Sequence, residues 1–240
     1  LLYVIPHSPV YNDTVRSREK EFVLTLYYAP GACSLAPHIL LEEIGAEFQA
    51  VRLSLADGEQ RKPAYLALNP QARVPTLVEG DFVLTETPAI LSYLGHRYAE
   101  SGLLPLTDLH QLARCEQLLA FFSSSVHVAV AQVWRTARYV DDASAYEAVR
   151  AGGRRALAGY FADMETLFAA ADWLVGGRFS VADLYPLIIY RWALRLGDDM
   201  RRYPAWTAHA SRLLERPAVR RALADEGLAA AEFQPPAAAA

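Results

Sequence analysis

The pattern of apolar and polar positions changes character near residue 100. Before that point, short β-rich runs alternate with helical stretches. FVLTLYY (22–28) is β-branched and aromatic, the texture of a buried strand. SLAPHILLEEIG (34–45) has apolar residues at helical spacing, with Gly45 as its stop. EFQAVRL (47–53) alternates like a half-buried strand, and after the polar loop ADGEQRK a short helical stretch ends at Asn69-Pro70. TLVEGDFVLTE (76–86) reads as two short strands about a Gly-Asp turn. TPAILSYLGHRYA (87–99) reads as a helix with Pro88 in its first turn, where a missing N–H costs nothing. The order βαβ, then αββα, predicts a right-handed parallel crossover followed by a hairpin and a closing helix.

After SGLLPLTD (101–108) the strand signals stop. Long helical runs are predicted over 109–138, 143–170 and 181–196, with shorter ones at 204–215 and 217–226, an all-helical bundle. The expected organisation is an extension without a core of its own at 1–21, a small α/β domain at 22–100, a linker at 101–108, a helical domain at 109–228 and a frayed tail at 229–240. The fold class expected is therefore α/β plus all-α.

Composition narrows the function classes. The 240 residues are 53% hydrophobic with a net charge of −4, enough for a core and without the basic bias of a nucleic-acid binder. No uninterrupted apolar run approaches the length of a membrane span. The first residues, LLYVIPHSPVYNDTVRSREKEF, lack the pattern of a secretory signal. Two cysteines far apart, Cys33 and Cys115, form no disulfide framework and point to a reducing compartment, the cytoplasm. The histidines have no metal-like spacing, so no metal is expected.

Three short segments hold candidate chemistry. In YYAPGACSLAPHI (27–39) a strand ends, a Pro-Gly turn follows and Cys33 falls where a helix begins. Unpaired N–H groups and the helix dipole there are expected to lower a thiol pKa. Ala36 stands where a dithiol motif needs a second cysteine. The alternative is that Cys33, like Cys115, is a small buried apolar residue. In ARVPTL (72–77) a cis Val74–Pro75 bond before a strand would present the Val74 N–H and C=O to an extended peptide-like ligand, against the ordinary alternative of a trans proline. In TETPAI (85–90), Glu86 and Thr87 open a helix and offer an acceptor for an ammonium and donors for a carboxylate, or else simply cap it.

Taken together, these segments resemble the glutathione transferase family over roughly residues 22–228, and its bacterial beta class most. The resemblance implies a thioredoxin-like glutathione-binding domain followed by a helical domain. It assigns Tyr28, Cys33 and Ser34 to catalysis. It assigns Val74, Pro75, Glu86 and Thr87 to glutathione, with Arg73 where the class often has glutamine. It places His127 (in FFSSSVHVAV) and Trp192 on the electrophile side. Val128 stands where the class commonly has a lysine. In SVADLYPLIIYRWA (180–193), Ser180 and Asp183 have capping-box spacing and are assigned to structure. The expected function is conjugation of the glutathione thiolate to hydrophobic electrophiles, with thiol-disulfide exchange beside it, by a detoxifying cytoplasmic homodimer, with glutathione as co-substrate and no cofactor. Two alternatives stay open: a Cys33-dependent thiol-transferase or peroxidase, and a non-catalytic module that binds glutathione or apolar ligands. Neither nucleic acid nor membrane is an expected partner.

Overall fold

The computed structural model describes residues 23–236. The expected extension 1–21 and the last four residues of the expected tail lie outside them. Strands β1 (Leu24–Tyr28), β2 (Phe48–Arg52), β3 (Thr76–Glu79) and β4 (Phe82–Thr85) form one mixed sheet in the order β2-β1-β3-β4. β1 pairs parallel with β2 (Leu26 opposite Ala50) and antiparallel with β3 (Leu26 opposite Leu77), and β3–β4 is the predicted hairpin.

Period two explains the two faces of β1. Leu24, Leu26 and Tyr28 point into the main core with helices α1 (Leu35–Ile44) and α3 (Thr87–Arg97). Tyr27 points the other way and packs on Tyr65 of the one-turn helix α2 (Pro63–Leu66). This is a thioredoxin-like domain.

The second half is helical: α4 (Leu109–Phe121), α5 (His127–Trp134), α6 (Tyr146–Ala170), α7 (Leu184–Arg195), α8 (Pro204–Leu214) and α9 (Pro217–Glu226). Its core is continuous with that of the first half. The run predicted at 109–138 is not uniform. A five-residue π-helical turn, Phe122–Val126, separates α4 from α5, and a 3-10 turn follows at Thr136–Arg138. Hydroxyl back-bonding accompanies both. Ser123 and Ser124 donate to the Ala120 carbonyl and Thr136 to that of Gln132, in competition with the regular ladder. The continuous run Leu109–Trp134 is long and apolar enough on average to cross a membrane. Its Cys115, Leu119, Phe122, Val126 and Val130 are spent inside the protein core.

Segment 101–108, the expected linker, is held in place: the Leu104 side chain is buried against Gly95, and the Leu103 carbonyl accepts the Val181 N–H. The expected fraying of the tail needs correction. Residues 229–236 are not frayed. Ala230–Phe233 form a 3-10 turn, Phe233 is buried and Glu232 pairs with Arg191, because burying an aromatic ring outweighs the entropy of the last turn.

Candidate active site

Between the two domains lies a cavity of about 550 Å³. Its floor is the turn Pro30–Cys33 with Val74, and its wall is α5 and α7, contributing His127, Val130, Trp134 and Trp192. The floor follows from local chemistry. Gly31 takes the left-handed φ of 66° that the tight turn requires. The Ser34 hydroxyl accepts the Ala29 N–H at 3.1 Å and donates to the Ala29 carbonyl, closing the turn. Ser34, the N-cap of α1, is fully buried in that role and does not line the cavity. The structure therefore places Ser34 in the turn beneath the cavity, behind Cys33.

Tyr28 also lies outside the cavity lining. The parity it shares with Leu24 and Leu26 turns it away from the cavity, against the His38 ring, and its hydroxyl donates to the Asp225 carbonyl. Strand alternation in the sequence carried that signal.

Cys33 lies on the cavity floor, nearly buried, with its thiol donating to the Val74 carbonyl at 3.4 Å. Burial pushes this thiol up to about 11; the Thr87 hydroxyl pulls it back and the Glu86 carboxylate opposes that. The lowered pKa expected from the helix N-terminus is therefore corrected: desolvation of a thiolate outweighs the Thr87 hydroxyl and the backbone N–H donors of Cys33 and Ser34. Cys115 is also buried, and burial pushes it up to about 12.

Val74 and Pro75 are joined by a cis bond, the geometry the sequence resemblance implied. Arg73, one residue earlier, is exposed at the cavity edge. Glu86 and Thr87 are close to Cys33 but outside the cavity lining. Glu86 is exposed, holds an unfavourable φ of 71° and makes no capping bond. Thr87 is buried, and its hydroxyl lowers the pKa of both the Cys33 thiol and the Tyr185 hydroxyl against the effect of burial.

His127 and Trp192 meet on the helical wall, ring centroids 4.6 Å apart. His127 Nδ1 is 2.7 Å from the Tyr185 hydroxyl. Burial, then Arg73, Arg135 and Arg138, hold His127 down to about 4, so the imidazole is neutral at pH 7. The Trp192 indole N–H donates to the Gly31 carbonyl at 3.0 Å, which ties the wall to the floor.

Several site residues were invisible in the sequence. Arg191, buried, donates to the same Gly31 carbonyl and pairs with Glu232 at 2.6 Å. Buried Glu226 of α9 accepts the Gly31 N–H at 2.8 Å and holds His38 Nδ1 at 3.0 Å. His38, Glu42 and Asp225 also bring ligand-type atoms within 4.8 Å of one another, but Glu42 is engaged by Arg221. Tyr185 sits beside the capping-box aspartate, and only the segment's structural reading hid it. Nothing in the sequence marked Arg135 and Arg138 as cavity residues.

Comparisons with known proteins agree with this geometry. Family models for the glutathione S-transferase N-terminal and C-terminal domains match residues 22–96 and 127–217. A Xanthomonas campestris glutathione S-transferase is 30% identical over 206 residues, covering 85% of this chain and all of its own. A Sulfitobacter glutathione transferase homologue solved with bound glutathione is 34% identical, with a TM-score of 0.81, covering 87% of this chain and all of its own. The beta-class enzyme of Sphingomonas chungbukensis is 32% identical, with a TM-score of 0.75, covering 85% of this chain and all of its own.

Proposed function

Because the chain belongs to the glutathione S-transferase family, we propose that it conjugates glutathione to small hydrophobic electrophiles in the cleft between its domains. The observation that carries the reading is the Cys33 thiol beside the Val74 carbonyl on the floor of a two-domain cavity. Glutathione lies extended along Val74–Pro75. Its γ-glutamyl ammonium is directed to Glu86 and its γ-glutamyl carboxylate to Thr87 and the start of α3. Its sulfur rests over the Pro30–Cys33 turn, between Cys33 and His127.

The chemistry follows from the protonation states. A Cys33 thiol pushed up to about 11 is a donor at pH 7, not a nucleophile. Turned from the Val74 carbonyl to the ligand, it stabilises the glutathione thiolate. His127 is neutral, and its Nε2 has no partner among the described residues, so it supplies a second polar contact. The thiolate then attacks an electrophile held against Val130, Trp134 and Trp192, with proximity supplying much of the acceleration.

The same reading makes the protein a cytoplasmic, detoxifying homodimer. Exposed Phe82 and Val83 on the edge strand β4 support a second copy packing there.

The test compares Cys33→Ala with the unsubstituted enzyme on an activated aryl halide. Conjugation is expected to fall about tenfold, the worth of one thiolate donor of ~1.4 kcal/mol. Unchanged conjugation would remove Cys33 from the mechanism. A glutathione adduct on Cys33 after treatment with oxidised glutathione, together with disulfide turnover lost in Cys33→Ala, would favour the exchange activity instead.

A further inference from the structure

The cavity carries more positive charge than glutathione accounts for. Its lining includes Arg73, Arg135, Arg138, Arg191 and Arg195, and no Asp or Glu. Arg191 is neutralised by Glu232, and Arg195 lies in the field of the same carboxylate. Arg73, Arg135 and Arg138 make no ion pair among the described residues. They arrive from separate places: Arg73 from the loop before β3, and Arg135 and Arg138 from the end of α5 and the turn after it. They nonetheless converge closely enough that each acts on the same His127 ring, and Arg135 and Arg73 both act on Arg138. Like charges gathered at a low-dielectric cleft repel one another and focus a positive potential into it.

Glutathione leaves part of this charge unanswered. Its γ-glutamyl end belongs to the Glu86–Thr87 corner, outside the cavity lining. Its remaining carboxylate accounts for Arg73, on the Val74 loop. Arg135 and Arg138 stand across the cavity on the helical wall, continuous with Val130, Ala131, Trp134 and Trp192.

We propose that the acceptor this enzyme conjugates carries a carboxylate, received by the Arg135 and Arg138 guanidiniums, with its apolar body against Trp134 and Trp192. Guanidinium is the side-chain group best matched to a carboxylate, which it binds through paired N–H donors. The reaction is the family's own. The glutathione sulfur forms the C–S bond, a leaving group such as halide departs with its bonding pair, and the thiol proton passes to solvent. The proposal rests on the conjugation reading and narrows its substrate class to small electrophilic organic acids.

The experiment reads binding directly, without turnover. S-(4-carboxybenzyl)glutathione and its benzoate methyl ester share the glutathione half and differ in the acceptor's charge and a single methyl group. Titration calorimetry on the whole protein is expected to show the acid binding at least tenfold tighter than the ester at low ionic strength. The advantage shrinks in 0.5 M salt. Arg135→Gln with Arg138→Gln brings the two affinities within about twofold of each other, and the paired lysine substitutions retain part of the preference. Both side chains are exposed, so these variants fold. An ester that binds as tightly as the acid overturns the proposal, as does a preference that survives the double glutamine variant. Glutathione titrated in parallel separates the levels. If glutathione and both conjugates fail to bind, the cleft reading itself falls; if glutathione and the ester bind with no preference for the acid, only the acceptor proposal falls.

Discussion

At the scale of single residues, Cys33 stands at one end of the cavity, on its floor, and His127 at the other, on its wall. Desolvation dominates both ends, and it acts oppositely on a thiol and an imidazole because each is pushed toward its neutral form. Two measurements follow. Alkylation of Cys33 by iodoacetamide in the ligand-free enzyme should keep rising with pH through 10, in keeping with a thiol at about 11. A plateau below pH 8 would contradict it. His127, held at about 4, should show no NMR protonation shift between pH 7 and pH 5. Its folded value lies below the ordinary 6.5, so between the two the unfolded chain binds more protons. The stability linked to His127 is whole above pH 6.5 and is lost as pH falls toward 4. An imidazole inflection near 6.5 would show that the ring is neither desolvated nor under the arginines' field.

At the scale of elements, the decisive pieces are the π-helical turn before α5 and the capping segment before α7. The π turn lies immediately before His127, on the helix that presents the ring to the cavity. The capping segment is held by one carboxylate. Asp183, fully buried, accepts the Ser180 N–H at 2.8 Å, the Ser180 hydroxyl at 3.0 Å, the Leu174 N–H at 2.9 Å and faces His209 Nε2 at 3.1 Å. Asp183→Ala strands all of these donors in the core, so denaturant unfolding should show a loss of about 3–5 kcal/mol. Ser180→Ala should cost only about 1 kcal/mol. Equal effects from the two substitutions would show that the segment acts as an ordinary cap. The capping spacing was legible in the sequence because it is local, whereas the links to Leu174 and His209 depend on how α6 and α8 pack.

At the scale of the molecule, the helical domain fixes the cavity floor by clamping Gly31. The N–H of Gly31 goes to Glu226, and its carbonyl receives Arg191 and Trp192. A β-carbon at Gly31 would meet the Arg191 guanidinium at 2.2 Å, on a backbone of φ 66° that side chains rarely adopt. Gly31→Ala should therefore cost about 1–2 kcal/mol from backbone conformation alone, with more from the clash, and glutathione affinity should fall with it. Stability and affinity both unchanged would show that the clamp is not needed. What the sequence by itself determined are the features set by neighbours along the chain. The period-two strands, the helical runs, the Gly31 turn, the two-domain order and the short segments around Cys33, Val74–Pro75 and Glu86–Thr87 are all of this kind. Only the tertiary structure decided which partner each group meets and how dry its surroundings are. It set α9 against the inward-facing Tyr28, spent Ser34 on its own turn, raised the Cys33 thiol by burial and brought Arg135 and Arg138 to the cleft. The physical reason is that desolvation and charge–charge energies depend on distances in space, between residues that the chain can separate widely, by 195 positions at Gly31 and Glu226.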